Sequence, residues 1–314
     1  PLRGGGYLLR WQGKGIAIDP GPGFLENLRD EGFGFGDIDA ILVTHNHIDH
    51  VGELPHILTL MYEHNEECGE GRRQIDLFLA PAVLQAYSAF AATSDCVGQL
   101  HRLFPGQVVK PEGYPIQIEP YHAEHRELGG SPHAVSVALT LLDRTASRTA
   151  VGSVVLTGDT QWKEDLGLLQ GIPLLQYPVL LVAHVGGVRP ADQGSSGQHL
   201  YFRGVHNLLY HLQQSKQPPK RVVLAEFGIE LRQLITSMVS ELSQLLEPSD
   251  CVCDGTRGRV VLLPDMDVGC DYGKGGRGME GRCTNASVGP PRAAEEGGYL
   301  YRCSEHTGGR RSGR

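Results

Sequence analysis

Long apolar runs are missing from this chain of 314 residues. No stretch approaches the roughly 20 consecutive apolar residues that a membrane helix needs, so no association with a membrane is expected. The opening residues 1–6 also lack the charged and apolar regions of a signal peptide, and the expected compartment is the cytoplasm. Because the chain starts at Pro1 and soon enters a predicted strand, we expect a segment of a longer protein.

Cysteine is sparse in the main part of the chain, and positive charge is in deficit. The seven cysteines are odd in number, and five of them lie at or after Cys251, which argues against a disulfide framework across the body of the protein. The formal net charge is −8. This balance argues against high non-specific affinity for nucleic acid, which grows with the phosphates that lysine and arginine neutralise. A local basic groove is still compatible with it.

Three common catalytic motifs are absent from the sequence. There is no Gly-x-Ser-x-Gly nucleophile elbow, no Walker loop and no dinucleotide-binding fingerprint. The glycine-rich segment 273–278 has no predicted strand before it and no predicted helix after it, so a flexible loop is expected there. Catalysis by an activated serine, by a P-loop or by a bound dinucleotide therefore has no support in the sequence.

Candidate metal ligands are concentrated in the segment 44–50, which reads Thr-His-Asn-His-Ile-Asp-His. The apolar run 38–43 before it predicts a buried strand. The ligands follow at the carboxyl end of that strand, where α/β folds place their chemistry. Alternation along an extended backbone turns His45 and His47 the same way. A second ion, beside the first, would face the two ligands past the end of the strand, Asp49 and His50.

The pattern His-x-His-x-Asp-His resembles the signature of the metallo-β-lactamase superfamily. Two further segments resemble motifs of the same superfamily. Residues 15–21 resemble its first motif, in which an aspartate, here Asp19, steadies the ligand loop. Residues 154–160 resemble the strand-Gly-Asp-Thr motif, in which an aspartate, here Asp159, bridges both metals. The resemblance covers roughly residues 5 to 247 and implies an α/β fold, a four-layer αββα sandwich with the metal site along one edge.

Apolar runs and helix-like periodicity alternate through the first four-fifths of the chain. Beyond residue 263 glycine becomes dense and this periodicity vanishes. We therefore predict a hydrolase domain over residues 1–263 and a glycine-rich extension over 264–314 with a disordered basic end. The predicted strands are 7–11, 15–19, 38–45, 76–80, 116–120, 134–142, 154–159, 179–184 and 221–226, and the predicted helices are 25–31, 51–64, 82–90, 199–214 and 229–246.

The resemblance implies a ligand set for each ion. A third histidine joins His45 and His47 at the first ion, and Asp159 lies between the two ions. The third histidine must come from residues 121–130 or from His133. His125 is the prediction because a Gly-Gly turn and a strand follow it as in similar sequences, with His122 and then His133 as the alternatives. The second ion is assigned to Asp49, His50 and one last ligand.

The last ligand is where the sequence departs from the pattern. Ribonuclease Z-like relatives carry a histidine at the end of the final core strand, but Glu226 occupies that place here. A carboxylate binds zinc at about the same distance as a histidine nitrogen, so Glu226 is predicted to replace it. The alternatives are that His184 or His199 is the ligand, or that Glu226 caps the next helix.

His184 and His199 are also candidates for proton transfer, and with Asp49 they form the predicted catalytic set. His184 stands where ribonuclease Z-like enzymes carry an acidic residue that transfers a proton, and His199 opens the next predicted helix. Imidazole titrates near neutrality and can deliver a proton to a leaving alkoxide. The alternative is an ordinary hydrogen-bonded histidine at a strand or helix end.

The extension contains four further candidate ligands in a region with too few apolar residues to fold by burial alone. A structural zinc would organise it, and the alternative is a disordered tail with free thiols. The ending supplies a Cys-x-x-His pair, whereas the other two cysteines are widely spaced. These four ligands are Cys270, Cys283, Cys303 and His306.

These features predict a dinuclear zinc hydrolase, with manganese or iron as alternative metals. Two ions lower the pKa of a bridging water toward about 7 and polarise the substrate oxygen. The substrate is predicted to be a phosphodiester in a nucleotide or nucleic acid, cleaved by phosphodiesterase or nuclease action. One alternative is a lactone, thioester or amide hydrolase, and another is a non-catalytic sensor or scaffold module. The sequence leaves the oligomeric state open, with a homodimer as one alternative.

Overall fold

A computed structural model describes residues 5–68, 72–93, 95–126, 134–144, 148–171, 179–187, 199–214, 219–225, 235–244, 251–254, 260–263 and 298–302. Within these ranges, no helix combines the length and the apolar character needed to cross a membrane. The predicted ligands His133, Glu226, Cys270, Cys283, Cys303 and His306 lie outside the described residues.

The described strands follow the apolar runs of the sequence. They are β1 (Tyr7–Trp11), β2 (Lys14–Ile18), β3 (Ala40–Val43), β4 (Ile75–Leu79), β5 (Val97–Arg102), β6 (Ile116–His122), β7 (Val135–Leu142), β8 (Ala150–Leu156), β9 (Val179–Gly187), β10 (Leu200–Tyr201), β11 (Arg221–Ala225), β12 (Cys251–Asp254), β13 (Val260–Leu263) and β14 (Gly298–Arg302).

The helices lie between these strands in the sequence. They are α1 (Phe24–Asp30), α2 (Ile48–Val51), α3 (Leu54–Cys68), α4 (Pro81–Thr93), α5 (Gly167–Gly171), α6 (Phe202–Gln213) and α7 (Ile235–Ser243). In α6, the buried side chains recur at the spacing of one helical face. These side chains are Val205, Leu208, Leu209 and Leu212.

The strands form two mixed sheets. The first has the order β13-β14-β1-β2-β3-β4-β5, and the second has the order β12-β11-β9-β8-β7-β6, with β10 beside β9. In the first sheet β2 to β5 run parallel. In the second sheet β8, β9, β11 and β12 run parallel. Parallel strands bring their carboxyl ends to the same edge, and the predicted ligands follow those ends.

The apolar core is divided between two clusters that lie on opposite faces of the second sheet. Along β9, Leu180 and Val182 belong to the cluster shared with the first sheet. Their neighbours Leu181 and Ala183 belong to the cluster shared with α6 and α7. This alternation buries both faces of the strand, as expected for a sheet covered on both sides. The predicted four-layer αββα sandwich is thus confirmed.

The elements that differ from prediction lie mainly at the edges of the sheets. Strand β5 was not predicted because its residues alternate between half-buried and exposed and include Gly98 and charged Arg102. Strand β3 ends at Val43, two residues earlier than predicted, because the ligand segment leaves the sheet. Strand β14 lies in the predicted extension and pairs with β1 in antiparallel register. The boundary at residue 263 stays a prediction.

Candidate metal centre

Five chain segments converge at one edge of the sandwich. His45 and His47 follow β3, and His50 lies in the short helix α2. The remaining members of the cluster come from the segment after β6, the turn after β8, the strand β9 and the residue before β10. In chain order these are His125, Asp159, His184 and His199.

A first group of ligand atoms belongs to His45, His47, His125 and Asp159, all within 4.8 Å of one another. Nε2 of His125 lies 3.0 Å from Nδ1 of His47. Nε2 of His45 lies 3.5 Å from Oδ2 of Asp159. Three imidazoles and one carboxylate are a donor set that suits zinc.

A second group, formed by His50, Asp159 and His184, lies against the first and shares its carboxylate. Nε2 of His50 is 3.4 Å from Oδ2 of Asp159. Nδ1 of His184 is 3.4 Å from Oδ1 of Asp159. All three side chains are buried. Asp159 therefore faces both groups, which is the position of a bridging ligand.

The spacing of these atoms fits bound cations. Two ligands held at about 2.0–2.2 Å from a tetrahedral ion lie about 3.3–3.6 Å apart, and the four histidine contacts of Asp159 fall in that range. Charge-assisted hydrogen bonds are usually shorter, about 2.7–2.9 Å. Nε2 of His45 is buried and has no hydrogen-bond partner among the described residues. A bound cation would satisfy this nitrogen, so the residues present fit a metal centre.

Gly158 sets the direction of Asp159 after β8. Its φ of +57° lies in the left-handed region, which favours glycine. A Cβ at this position would lie 2.9 Å from the backbone oxygen of Val135. Glycine is therefore required both by the turn and by the close approach of β7, and the turn brings the next side chain to the histidines.

Asp19 fastens the segment that carries the ligands. Its Oδ1 accepts a hydrogen bond from the backbone N–H of Thr44, and its Oδ2 accepts one from the Thr44 hydroxyl, both at 2.7 Å. Oδ2 also lies 3.2 Å from Nδ1 of His50. Asp19 has a φ of +48°, a region where aspartate is better tolerated than most residues. It thus joins the end of β2 to the ligand loop and to one ligand ring.

The electrostatics of the centre separate two kinds of histidine. Burial and the neighbouring His50 ring lower the pKa of His45, so this histidine is neutral near pH 7. Burial also opposes a charge on His50, but the carboxylates of Asp159 and Asp19 raise its pKa well above the ordinary value. Burial disfavours a charge on Asp159 as well, yet the histidines around it hold its pKa well below its usual range. These opposite shifts favour a charged His50 beside a charged Asp159.

His199 and Asp49 form the open side of the cluster. The His199 side chain is 31% exposed, and its Nδ1 lies 3.3 Å from Oδ2 of Asp159. Burial opposes its charge, but the Asp159 carboxylate raises its pKa. The Asp49 side chain is 57% exposed, with Oδ2 3.9 Å from Nε2 of His50. Among the described residues, Asp49 belongs to neither of the two ligand groups.

Residues 14–213, more than half of the chain, match the family described as the Beta-lactamase superfamily domain. The chain belongs to the metallo-β-lactamase superfamily. Its sequence is similar to proteins named ribonuclease Z and to one endoribonuclease. A ribonuclease Z from Thermobifida fusca (strain YX) is 45% identical over 53 residues, which are 17% of this chain and 17% of that protein. The Endoribonuclease YSH1 of Mycosarcoma maydis is 24% identical over 216 residues, 64% of this chain and 23% of that protein. Both matches span only a minor part of the relatives' length.

Solved structures agree on the fold. The metallo-β-lactamase fold protein YhfI from Bacillus subtilis has a TM-score of 0.57 and 16% identity, covering 79% of this chain and 87% of that one. A diphosphatase from the PhnP family has a TM-score of 0.53 and 16% identity, covering 79% of each chain. At these identities the likeness establishes the architecture of the metallo-β-lactamase domain.

Several predicted site residues of this metallo-β-lactamase domain lie together in the two ligand groups, and others lie outside them. The structure places His125 against His47 and leaves His122 exposed beside Glu124, with 3.6 Å between Nε2 and Oε1. Sequence reasoning missed Tyr7, whose hydroxyl is hydrogen-bonded to Nε2 of His184 at 3.2 Å. The two residues are 177 positions apart and no motif connects them. The sequence therefore held no signal for this contact.

Proposed function

We propose that this chain is a dinuclear zinc hydrolase that cleaves a phosphodiester of a nucleotide or nucleic acid. The observation that carries the proposal is the buried carboxylate of Asp159, which two groups of histidines share. In this assignment the first ion would be held by His45, His47 and His125, and the Asp159 carboxylate would be shared with the second ion. The second ion would be held by His50 and Asp49 together with one last ligand, for which the sequence offers Glu226, His184 and His199.

Paired divalent cations supply charge that polarises a phosphoryl oxygen and lowers the pKa of water. The residues of the chain supply position and protons. Asp19 and Thr44 hold the ligand loop in place, so the cluster is organised before substrate arrives. The exposed side, with His199 and Asp49, is where a substrate phosphate can enter.

Hydrolysis forms a bond between phosphorus and a water oxygen and breaks the bond to the leaving oxygen. The water loses a proton and the leaving oxygen needs one. His199 is the better placed donor, because it is partly exposed and its pKa is raised despite burial. His184, also predicted for this step, is buried, and both of its ring nitrogens face other side chains.

Phosphorus is favoured over a carbonyl carbon as the point of attack for two reasons. A two-ion clamp suits in-line displacement at phosphate. The names of the relatives, ribonuclease Z, endoribonuclease and diphosphatase, describe proteins that act on phosphate esters or diphosphates. The alternative hydrolases of lactones, thioesters or amides would use the same ions.

The test compares two substrates with the zinc-loaded protein. Turnover of bis-p-nitrophenyl phosphate, with none of simple lactones, is the expected result. Lactone hydrolysis without phosphodiester turnover would overturn the proposal in favour of carbonyl chemistry. Absence of both activities in protein that binds one zinc or none would favour the sensor or scaffold alternative.

The proposal includes three finer assignments. Zinc is the metal of this proposal, because three of the four residues in the first group are histidines, and imidazole suits zinc better than it suits manganese. Metal analysis of the purified protein separates zinc from iron. The cytoplasm is the compartment. The extension 264–314 carries a structural zinc on its three cysteines and one histidine. Metal analysis of the full chain with Cys270→Ser and Cys283→Ser, which keeps β14 in the first sheet, tests the last assignment, since this variant should lose one zinc equivalent.

A further inference from the structure

We infer that His184, and not Glu226, completes the second metal position, and that the Tyr7 hydroxyl holds the His184 ring in its ligand orientation. The inference rests on the two-metal site of the proposed function. A ligand role for His184 departs from the pattern of ribonuclease Z-like sequences, in which the residue at the position of His184 transfers a proton.

The first argument is spacing. Nδ1 of His184 lies 3.4 Å from Oδ1 of Asp159, and Nε2 of His50 lies 3.4 Å from Oδ2 of the same carboxylate. Both distances lie in the range for two ligands on one tetrahedral ion, about 3.3–3.6 Å. The 3.3 Å between Nδ1 of His199 and Oδ2 of Asp159 lies there too, so burial and ring contacts decide between the two histidines. The His50 and His184 rings are stacked, with centroids 5.7 Å apart. One ligand atom from each of the three residues lies within 4.8 Å of the other two.

The second argument is the difference between His184 and His199. His184 is buried beside His50, on the side of the second group. His199 is partly exposed, and its ring contacts that of His125, in the first group. A buried imidazole without access to solvent is poorly placed to exchange protons with a leaving group. It is well placed to bind an ion.

The third argument is the partner of the other ring nitrogen. Metal-binding histidines usually donate their second ring N–H to an acceptor, which fixes the tautomer and the ring orientation. Nε2 of His184 lies 3.2 Å from the hydroxyl of Tyr7, which is buried in β1 of the opposite sheet. Donation from Nε2 to this oxygen leaves Nδ1 unprotonated and directed at Asp159. Tyr7 is therefore a positioning residue.

The backbone supports the same orientation. The N–H of His184 donates to Oγ1 of Thr157 at 3.0 Å, which fixes β9 against the turn that carries Asp159. His184 also pairs in parallel register with Ala225, the residue before Glu226. The strand that was predicted to supply the last ligand is thus a direct neighbour of the strand that supplies His184.

The experiment measures zinc binding by chelator competition on the full chain, without substrate. It compares the wild type with His184→Asn, Tyr7→Phe, Glu226→Gln and the control Tyr114→Phe. Tyr114 is a matched control because it is also buried, and its hydroxyl donates to the backbone oxygen of Asp39 at 3.0 Å. Zinc held by the extension would be common to all variants, so only differences from the wild type are interpreted.

We expect His184→Asn to weaken one zinc site by at least about 100-fold and Tyr7→Phe to weaken the same site by about 10-fold. Glu226→Gln and Tyr114→Phe should leave both sites unchanged. Circular dichroism confirms that each variant is folded, and His184→Gln takes the place of His184→Asn, with the same expected result, if His184→Asn is unfolded.

Unchanged zinc affinity in a folded His184→Asn protein would overturn the inference, as would loss of one site in Glu226→Gln alone. Unchanged affinity in Tyr7→Phe would overturn the role of Tyr7. These results leave the phosphodiesterase proposal intact, since no substrate is involved. A wild-type chain that binds fewer than two zinc equivalents besides the one assigned to the extension would overturn the inference and the two-metal proposal together.

Discussion

Oδ2 of Asp159 lies 3.4 Å from Nε2 of His50, and both side chains are buried. Without cations, the Asp159 carboxylate faces the His50 ring, whose pKa is raised. With cations bound, the same carboxylate would face the cations. The same side chain contacts His45, His184 and His199. Removal of its charge therefore affects both ligand groups at once.

Asp159→Asn is expected to lower kcat/KM for bis-p-nitrophenyl phosphate by more than about 100-fold. Mutation of a residue that only hydrogen-bonds to a metal ligand already lowers activity by about 10- to 100-fold, and Asp159 is itself a ligand in this assignment. His47→Ala should have a similar effect through the first group alone. Circular dichroism should show that both variants keep the fold, since their side chains lie at the edge of the sandwich. Retained activity in either variant would contradict the assignment of the centre.

Asp19→Asn is expected to weaken zinc binding by about 10- to 100-fold. The amide keeps the shape of the side chain but has one acceptor oxygen in place of two. It therefore cannot accept hydrogen bonds from the Thr44 backbone N–H on one side and from the Thr44 hydroxyl and His50 on the other. Asp37→Asn is the control, because the Asp37 carboxylate binds Arg10 on the surface. Chelator competition measures both variants, and equal affinities would show that Asp19 does not organise the ligand loop.

Gly186→Ala is expected to lower kcat by roughly 10- to 100-fold, since a displacement of about 1 Å in an active site has an effect of that order. A Cβ at Gly186 would lie 2.5 Å from Cβ of His199 and 2.6 Å from its Cγ, so the imidazole must move. Zinc content should not change. Gly36→Ala, whose added Cβ meets only the Arg73 side chain at 3.6 Å, is the control. Wild-type kcat in Gly186→Ala would argue against His199 as the proton donor.

Zinc affinity is expected to rise with pH through the neutral range. Burial opposes a proton on His50, but Asp159 and Asp19 raise its pKa well above the ordinary value. Below that raised pKa the metal-free ring carries a proton that a bound ion must displace. Affinity should increase by about tenfold per pH unit for each proton displaced. Chelator competition at pH 6, 7 and 8 measures the slope, and a flat profile would show that His50 binds no ion.

Much of the centre was predictable because its ligands lie in short local patterns. His45, His47 and His50 fall within six residues after one apolar run, and Asp159 follows a strand and a glycine. The choice of His125 over His122 rested on the Gly-Gly turn and the strand that follow it in the sequence. The structure turns His125 inward because the chain leaves β6 at His122 before it reaches the cluster.

Other features were not predictable, for physical reasons. The contact between Tyr7 and His184 joins two sheets across 177 positions, and burial alone gives a tyrosine no distinctive pattern. Strand β5 lies at a sheet edge, where half its side chains face solvent and apolar continuity is lost. Strand β14 is separated from its partner β1 by most of the chain. Local periodicity carries no information on such pairings.

Anomalous scattering at the zinc edge, from crystals of the zinc-loaded protein, tests the central claim most directly. Two peaks about 3.5–4 Å apart on either side of Asp159 are the predicted result, one among His45, His47 and His125 and the other beside His50 and His184. An empty cluster, or a single peak after soaking in excess zinc, would contradict the two-metal account.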